Sequence, residues 1–119
     1  MIKVIVAGGR YFNDYPLLRR KLKAILFPKY KPEEIEIVSG RANGADKLGE
    51  RFAKEFGCKV AYFPAEWDRY GKSAGYRRNA DMAKYADALA LFWDGKSRGS
   101  MHMLDLAKKH GLQTRVTYY

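Results

Sequence analysis

Short apolar runs alternate with segments of helical period along the chain. Ile2 to Ala7 is rich in β-branched residues and predicts a first strand. Asn13 or Asp14 can then cap a helix with Pro16 in its first turn and an apolar stripe of Leu17, Leu18, Leu22, Ile25 and Leu26. Pro28 and Pro32 bracket a loop. Glu34 to Val38 predicts a second strand ending at Ser39-Gly40, and a helix starts between Ala42 and Asp46 and runs to Phe56, where Gly57 stops it. Lys59 to Phe63 predicts a third strand, closed by Pro64. Ala65 to Gly75 has no period and predicts an irregular loop. A helix over Tyr76 to Tyr85, an almost wholly apolar strand over Ala86 to Trp93, a helix over Ser100 to His110 and a strand over Gln113 to Tyr118 complete the series.

Strict alternation of strand and helix with short links predicts a parallel sheet with right-handed crossovers. The expected class is α/β: three layers, an open sheet of about five mainly parallel strands with helices on both faces. The 119 residues are enough for one core, so residues 1–119 are read as a single domain.

In such a sheet, ligands bind at the C-terminal ends of the strands. Four groups of residues follow strands one to four and converge there. They are Gly8-Gly9-Arg10, the stretch from Ser39 to Asp46, the stretch from Pro64 to Asn79, and the stretch from Asp94 to Ser100. Glycines let backbone amides approach an anion, and arginine grips a phosphate or carboxylate with two hydrogen bonds. Gly8, Gly9, Arg10, Ser39, Gly40, Gly99 and Ser100 are therefore candidate phosphate ligands. Asn43, Asp46 and Glu66 suit ribose hydroxyls, with Asp46 also placed to anchor its helix or orient an arginine. Arg77 and Arg78 are neighbours on a helix, so one of them faces the crevice, with Asn79 beside it. Trp67 and Tyr70 can stack on a base or fill the core. His102 and His110 have no assignable carboxylate partner and read as structural or surface residues.

Composition narrows the partners. The net charge is +10, which favours anionic ligands, either phosphorylated small molecules or nucleic acid; part of the excess coats exposed helix faces at Arg19, Arg20, Lys21, Lys23, Lys108 and Lys109. The sole cysteine, Cys58, excludes a disulfide framework and a cysteine-based metal site. No apolar run has the length of a membrane span and no signal-peptide pattern opens the chain, so a cytoplasmic location is expected. Neither the G-x-G-x-x-G fingerprint nor a Walker A motif is present, which argues against a redox dinucleotide and against ATP hydrolysis. No cofactor and no metal are expected.

Taken together, these groups resemble the SLOG superfamily, which joins DNA-processing protein A to the "lonely guy" phosphoribohydrolases. The closest resemblance is to the YspA, cpYpsA-related SLOG family. It rests on Gly8-Gly9-Arg10, Val38-Ser39-Gly40 with Gly44-Ala45-Asp46, Pro64-Ala65-Glu66-Trp67, Gly71-Lys72, Ala74-Gly75 with Arg78-Asn79 and Met82, and Ala86-Asp87. It implies a Rossmann-like domain for nucleotides or nucleotide-derived ligands such as ADP-ribose. It also implies that homodimers are common among relatives; the tail Thr117-Tyr118-Tyr119 is an interface strand or simply an edge.

The hydrolases of that superfamily cleave nucleoside 5′-monophosphates with an arginine, matched here by Arg78, and a glutamate whose position falls on Met103. A thioether cannot stabilise an oxocarbenium-like centre or activate water. The expectation is thus a binder or sensor of nucleotide derivatives. The alternatives are an N-glycosidic hydrolase using Arg78 and a relocated carboxylate, Glu66 or Asp46, and a nucleic-acid-binding module.

Overall fold

The computed structural model describes residues 1–119. Five strands form one sheet: β1 (Ile2–Gly8), β2 (Ile35–Ser39), β3 (Lys59–Tyr62), β4 (Ala88–Trp93) and β5 (Gln113–Tyr118). All neighbours are parallel, in the order β3-β2-β1-β4-β5. The order reverses between β1 and β4, where Val4 pairs with Ala88 and Gly8 with Phe92. A crevice opens at such a reversal because the connections leaving the two strands go to opposite faces.

Alternation along the central strands sorts the core into two halves. Val4, Val6, Ala90 and Phe92 face one side, where they meet Leu18, Leu22 and Leu26 of α1 (Tyr15–Leu26) and Phe52 and Ala53 of α2 (Ala45–Phe56). Ile5, Ala7, Leu89, Leu91 and Trp93 face the other. There they meet Met82 and Ala83 of α4 (Ala74–Tyr85) and Met103, Leu104 and Ala107 of α5 (Arg98–Lys109). The expected three-layer Rossmann-like α/β class is what forms. No helix is long and apolar enough to cross a membrane.

Local signals act as expected at several ends. The Asp14 side chain, rather than Asn13, caps α1 by accepting from the Leu17 amide at 3.1 Å, and Gly57 closes α2 in the left-handed conformation at φ 77°.

Three boundaries differ from the sequence expectation by two residues or more, and several others by one. Ala65 to Gly75 is not irregular throughout: it holds a short helix α3 (Trp67–Tyr70) and a 3-10 turn (Gly71–Ser73) that runs into α4 at Ala74. The Ser73 hydroxyl donates to the Tyr70 carbonyl at 3.0 Å, a local bond that periodicity cannot reveal in four residues. Helix α5 starts at Arg98 rather than Ser100, because the Ser97 side chain accepts from the Ser100 amide and serves as the cap. Strand β4 starts at Ala88: Ala86 still donates its amide to Met82, and Asp87 exchanges bonds with Lys3, its carboxylate accepting from the Lys3 amide at 3.0 Å.

Candidate functional site

A cavity of about 1020 Å³ opens at the C-terminal ends of β1 and β4, at the point where the strand order reverses. Its wall takes residues from all four converging groups. The Gly8-Gly9-Arg10-Tyr11 turn lies after β1, Arg41 to Asn43 with Asp46 after β2, Trp67, Lys72, Gly75, Tyr76, Arg78 and Asn79 on the α3–α4 segment, and Asp94 with Ser97 to Ser100 after β4. Five cationic side chains, Arg10, Arg41, Lys72, Arg78 and Arg98, meet two carboxylates, Asp46 and Asp94. The local field therefore favours anions.

The donors of the glycine turn are allotted by the fold. The Gly9 amide is spent on the Phe92 carbonyl at 3.0 Å, and the Gly9 carbonyl accepts from Phe12 and from Ala45, each at 3.2 Å. The amides left free at this turn are those of Arg10 and Tyr11. Gly8 serves the sheet instead, since a Cβ there would lie 2.0 Å from the Phe92 oxygen. Arg10 is exposed and makes no ion pair. From the β4 side, the first amides of α5, on Arg98 and Gly99, have no partner within the helix and carry its positive dipole end. Asp94 folds its own loop by accepting from the Lys96 and Ser97 amides at 2.8 and 2.9 Å, which holds its carboxyl below the usual range.

Arg78 is the guanidinium that enters the cavity. Arg77 turns away and lies 4.3 Å over the Tyr70 ring, as the helical spacing of the pair requires. Arg78 donates through Nε to Asn79 Oδ1 at 2.9 Å and through Nη1 to the Gly40 carbonyl. Gly40 has no side chain because one would collide with this contact: a Cβ would lie 2.5 Å from Arg78 Nη1 and 2.8 Å from Asp46 Oδ2. Burial pulls Arg78 below its ordinary value, opposed by Asp46 and helped by Arg10.

Asp46 is buried, and its carboxylate accepts from the Ala42 amide at 3.3 Å. Burial pushes its carboxyl up to about 6, against the pull of Arg78. An acid that holds its proton more tightly when folded stabilises the protein fully below the ordinary carboxylate range, and loses that contribution as pH rises through its folded value. Between about pH 4 and about pH 6, Asp46→Asn should therefore abolish a decline in stability on the order of 2 kcal/mol. Urea unfolding of both proteins across that window checks this, and parallel stability curves would refute it.

Not every sequence candidate reaches the cavity. Ser39 is fully buried; its hydroxyl donates to Glu50 at 2.6 Å and accepts from the Arg41 amide at 3.1 Å, so it shapes the loop behind the wall, as Gly40 does. Glu66 does not join Arg78 in the cavity. It is exposed and lines a separate, smaller cavity of about 270 Å³ along α4 with Arg77, Asp81 and Lys84, a cavity whose wall Arg78 also reaches. Arg10, Asn43, Asp46, Trp67, Arg78, Asn79, Gly99 and Ser100 are brought together, along with Gly8 and Gly9. Trp67 and Tyr76 keep 56% and 49% of their surface exposed at the cavity, so neither is a core residue. Met103 is buried in the wall.

Tyr119 was not a sequence candidate, yet it lines the cavity. Its amide continues the β4–β5 ladder by donating to Trp93 at 3.2 Å, its ring packs 4.7 Å from Phe12, and its hydroxyl occupies the space a Gly9 side chain would need. The available signal was the parallel pairing itself, since the residue after β5 must emerge at the same sheet edge as the other loops.

Comparison with known proteins fits this architecture. Structures of DNA processing protein A share the fold. The Streptococcus pneumoniae protein has a TM-score of 0.71 at 19% identity over 98% of this chain and 50% of that one. The Helicobacter pylori protein, whose structure addresses its single-stranded DNA binding mode, has a TM-score of 0.64 at 21% identity over 97% and 64%. The chain thus spans less than two thirds of either. The Gene 61 protein of Mycobacterium phage D29 is 30% identical over 118 residues, covering 94% of this chain and 93% of its own. The model of the YspA, cpYpsA-related SLOG family matches residues 2–70, which include the β1 turn, the loop after β2 and the start of the α3 segment. Matched over more than half its length, and similar to a phage protein almost end to end, the chain belongs to the YspA, cpYpsA-related SLOG family.

Proposed function

We propose that this protein binds a nucleotide or nucleotide-derived ligand, of the ADP-ribose or nucleoside-phosphate kind, as a sensor or sequestering protein. The observation that carries the reading is the pairing of two sets of free amides, Arg10-Tyr11 and Arg98-Gly99, around one cavity with Arg10 and Arg78. Two facing donor sets suit a diphosphate better than a single carboxylate. The half-exposed rings of Trp67 and Tyr76 suit a base stacked at the same cavity. Turnover has less support. Met103 stands where the hydrolases of the superfamily have glutamate, Glu66 is exposed and lies outside the large cavity, the buried Asp46 carboxylate accepts from Ala42, and Asp94 is engaged with its own loop.

Calorimetric titration with ADP-ribose and with AMP, followed by chromatography for free base, tests the reading. Saturable binding without base release is the expected result. Base release that disappears in Asp46→Asn would replace the binder with a hydrolase.

A second reading, single-stranded nucleic acid, is favoured by the charge of +10 and by the DNA-binding Helicobacter pylori structure that shares the fold. It requires affinity for an oligonucleotide that falls steeply with salt. Absence of such binding at low salt rejects it.

A further inference from the structure

Arg78 is held by a chain of side chains that leaves the cavity. Its Nε–H can only donate, so Asn79 must present Oδ1 to it, at 2.9 Å. The Asn79 amide group then faces away and lies 3.4 Å from Nδ1 of His102 on α5. An NH2 group can only donate, so His102 Nδ1 must accept, and the imidazole carries its proton on Nε2. The ring is fixed edge-on against Tyr76, with centroids 4.5 Å apart. His102 itself does not line the cavity.

We propose that His102 is a positioning residue for Arg78, acting through Asn79, and makes anion binding in the cavity sensitive to pH. The inference rests on the reading of the cavity as an anion site. Arg78 Nη1 is committed to Gly40, while Nη2 has no partner and lies on the Gly75 side, where Trp67 also packs. The orientation of Nη2 is therefore set by Nε and Nη1, and Nε is set by the Asn79 amide.

Protonation of His102 reverses the chain. Nδ1–H becomes a donor and faces the Asn79 NH2, donor against donor. Asn79 relieves this only by rotating its amide, which turns the NH2 group onto Arg78 Nε–H. One contact or the other is lost, and Arg78 loses its fixed geometry. The groups that face or neighbour the imidazole are Tyr76 and Asn79 on α4 and, one helical turn away on α5, Arg98 and Asp105. Burial lowers the pKa of His102 and Asp105 raises it, burial being the larger effect, so His102 is neutral at pH 7 and the chain is intact.

The experiment has two arms. In the ligand-free protein, nitrogen-15 NMR should show the Nε2–H tautomer of His102 and an Arg78 Nε–H resonance that moves as His102 titrates. His102→Asn, which keeps an acceptor near the Nδ1 position and cannot protonate, should leave that resonance in place at neutral pH and flat in acid. His102→Leu should release it at every pH. The opposite tautomer, or an Arg78 resonance indifferent to His102→Leu, overturns the proposal.

In the second arm, ADP-ribose is titrated at neutral and at mildly acidic pH, its diphosphate being fully ionised at both. Wild type should lose about tenfold in affinity more than His102→Asn does over that interval. Asp46 titrates with the opposite sign for anion binding but is common to both proteins, so it cancels in the difference. Identical pH profiles in the two proteins overturn the proposal. If ADP-ribose binds neither protein while Arg78 still follows His102, the cavity reading falls and the positioning role stands.

Discussion

Arg10→Ala is expected to lower affinity for ADP-ribose by about 30- to 100-fold, roughly 2–3 kcal/mol, while leaving the fold intact. The first half follows from chemistry. Arg10 is exposed at the cavity mouth beside two free amides, so its guanidinium can meet a phosphate with two charge-assisted hydrogen bonds. The second half follows from what Arg10 does not do in the free protein. No side-chain hydrogen bond or ion pair involves it, and it disfavours the charge on Arg78. Removing it takes nothing from the folded state. Arg10→Lys should recover part of the affinity, since a point charge replaces a two-pronged grip. Calorimetry together with thermal unfolding reads both halves. Normal binding by Arg10→Ala would reduce the residue to part of a turn.

Gly44→Ala should cost stability on the order of 3–5 kcal/mol and open the site. Gly44 precedes α2 with φ 81° and ψ −127°, a conformation that side chains rarely adopt. A Cβ there would lie 2.1 Å from the Gly9 oxygen and 2.6 Å from the carbonyl of Arg10. These are backbone atoms and cannot swing aside. Relief would pull α2 away from the β1 turn and break the bond from Ala45 to Gly9 at 3.2 Å, which holds the two loops together. Gly57→Ala is the control: φ is 77° there but nothing lies within 4 Å, so only the dihedral cost of about 1 kcal/mol applies. Denaturant unfolding of the two variants separates collision from dihedral strain. Equal losses would show that the contact with Gly9 is unimportant.

Both predictions concern loops that the chain announces by composition. Gly8-Gly9-Arg10 after an apolar run and Gly44-Ala45-Asp46 before a helical period are visible because turn chemistry and hydrophobic period act within a few residues. The same holds for a cap at Asn13 or Asp14, the Gly57 stop and the choice between Arg77 and Arg78 as a matter of one facing inward. The α3 helix was missed because four residues carry too little period.

The roles inside the site were less visible, and Gly9 shows why. Its sequence context suggests an amide offered to an anion, but the neighbour β4 consumes that amide through Phe92. Ser39 looks like a phosphate donor until Glu50, one helical face away on α2, takes its hydroxyl. Glu66 and Arg78 are twelve residues apart, and only the turn of α3 onto α4 puts Glu66 outside the large cavity, in a smaller one that Arg78 also lines.

By itself the sequence determined an α/β chain, its five strands, its four longer helices, the Gly57 stop and an anion-favouring edge with four loops. Those features follow from side-chain period, capping and charge, which are properties of neighbouring residues. Only the tertiary structure decided which amides remain free, that Tyr119 closes the cavity over Gly9, and that His102 reaches Arg78 through Asn79. These depend on strand order and on packing α4 against α5. Such contacts join residues far apart in the chain, where no local pattern records them.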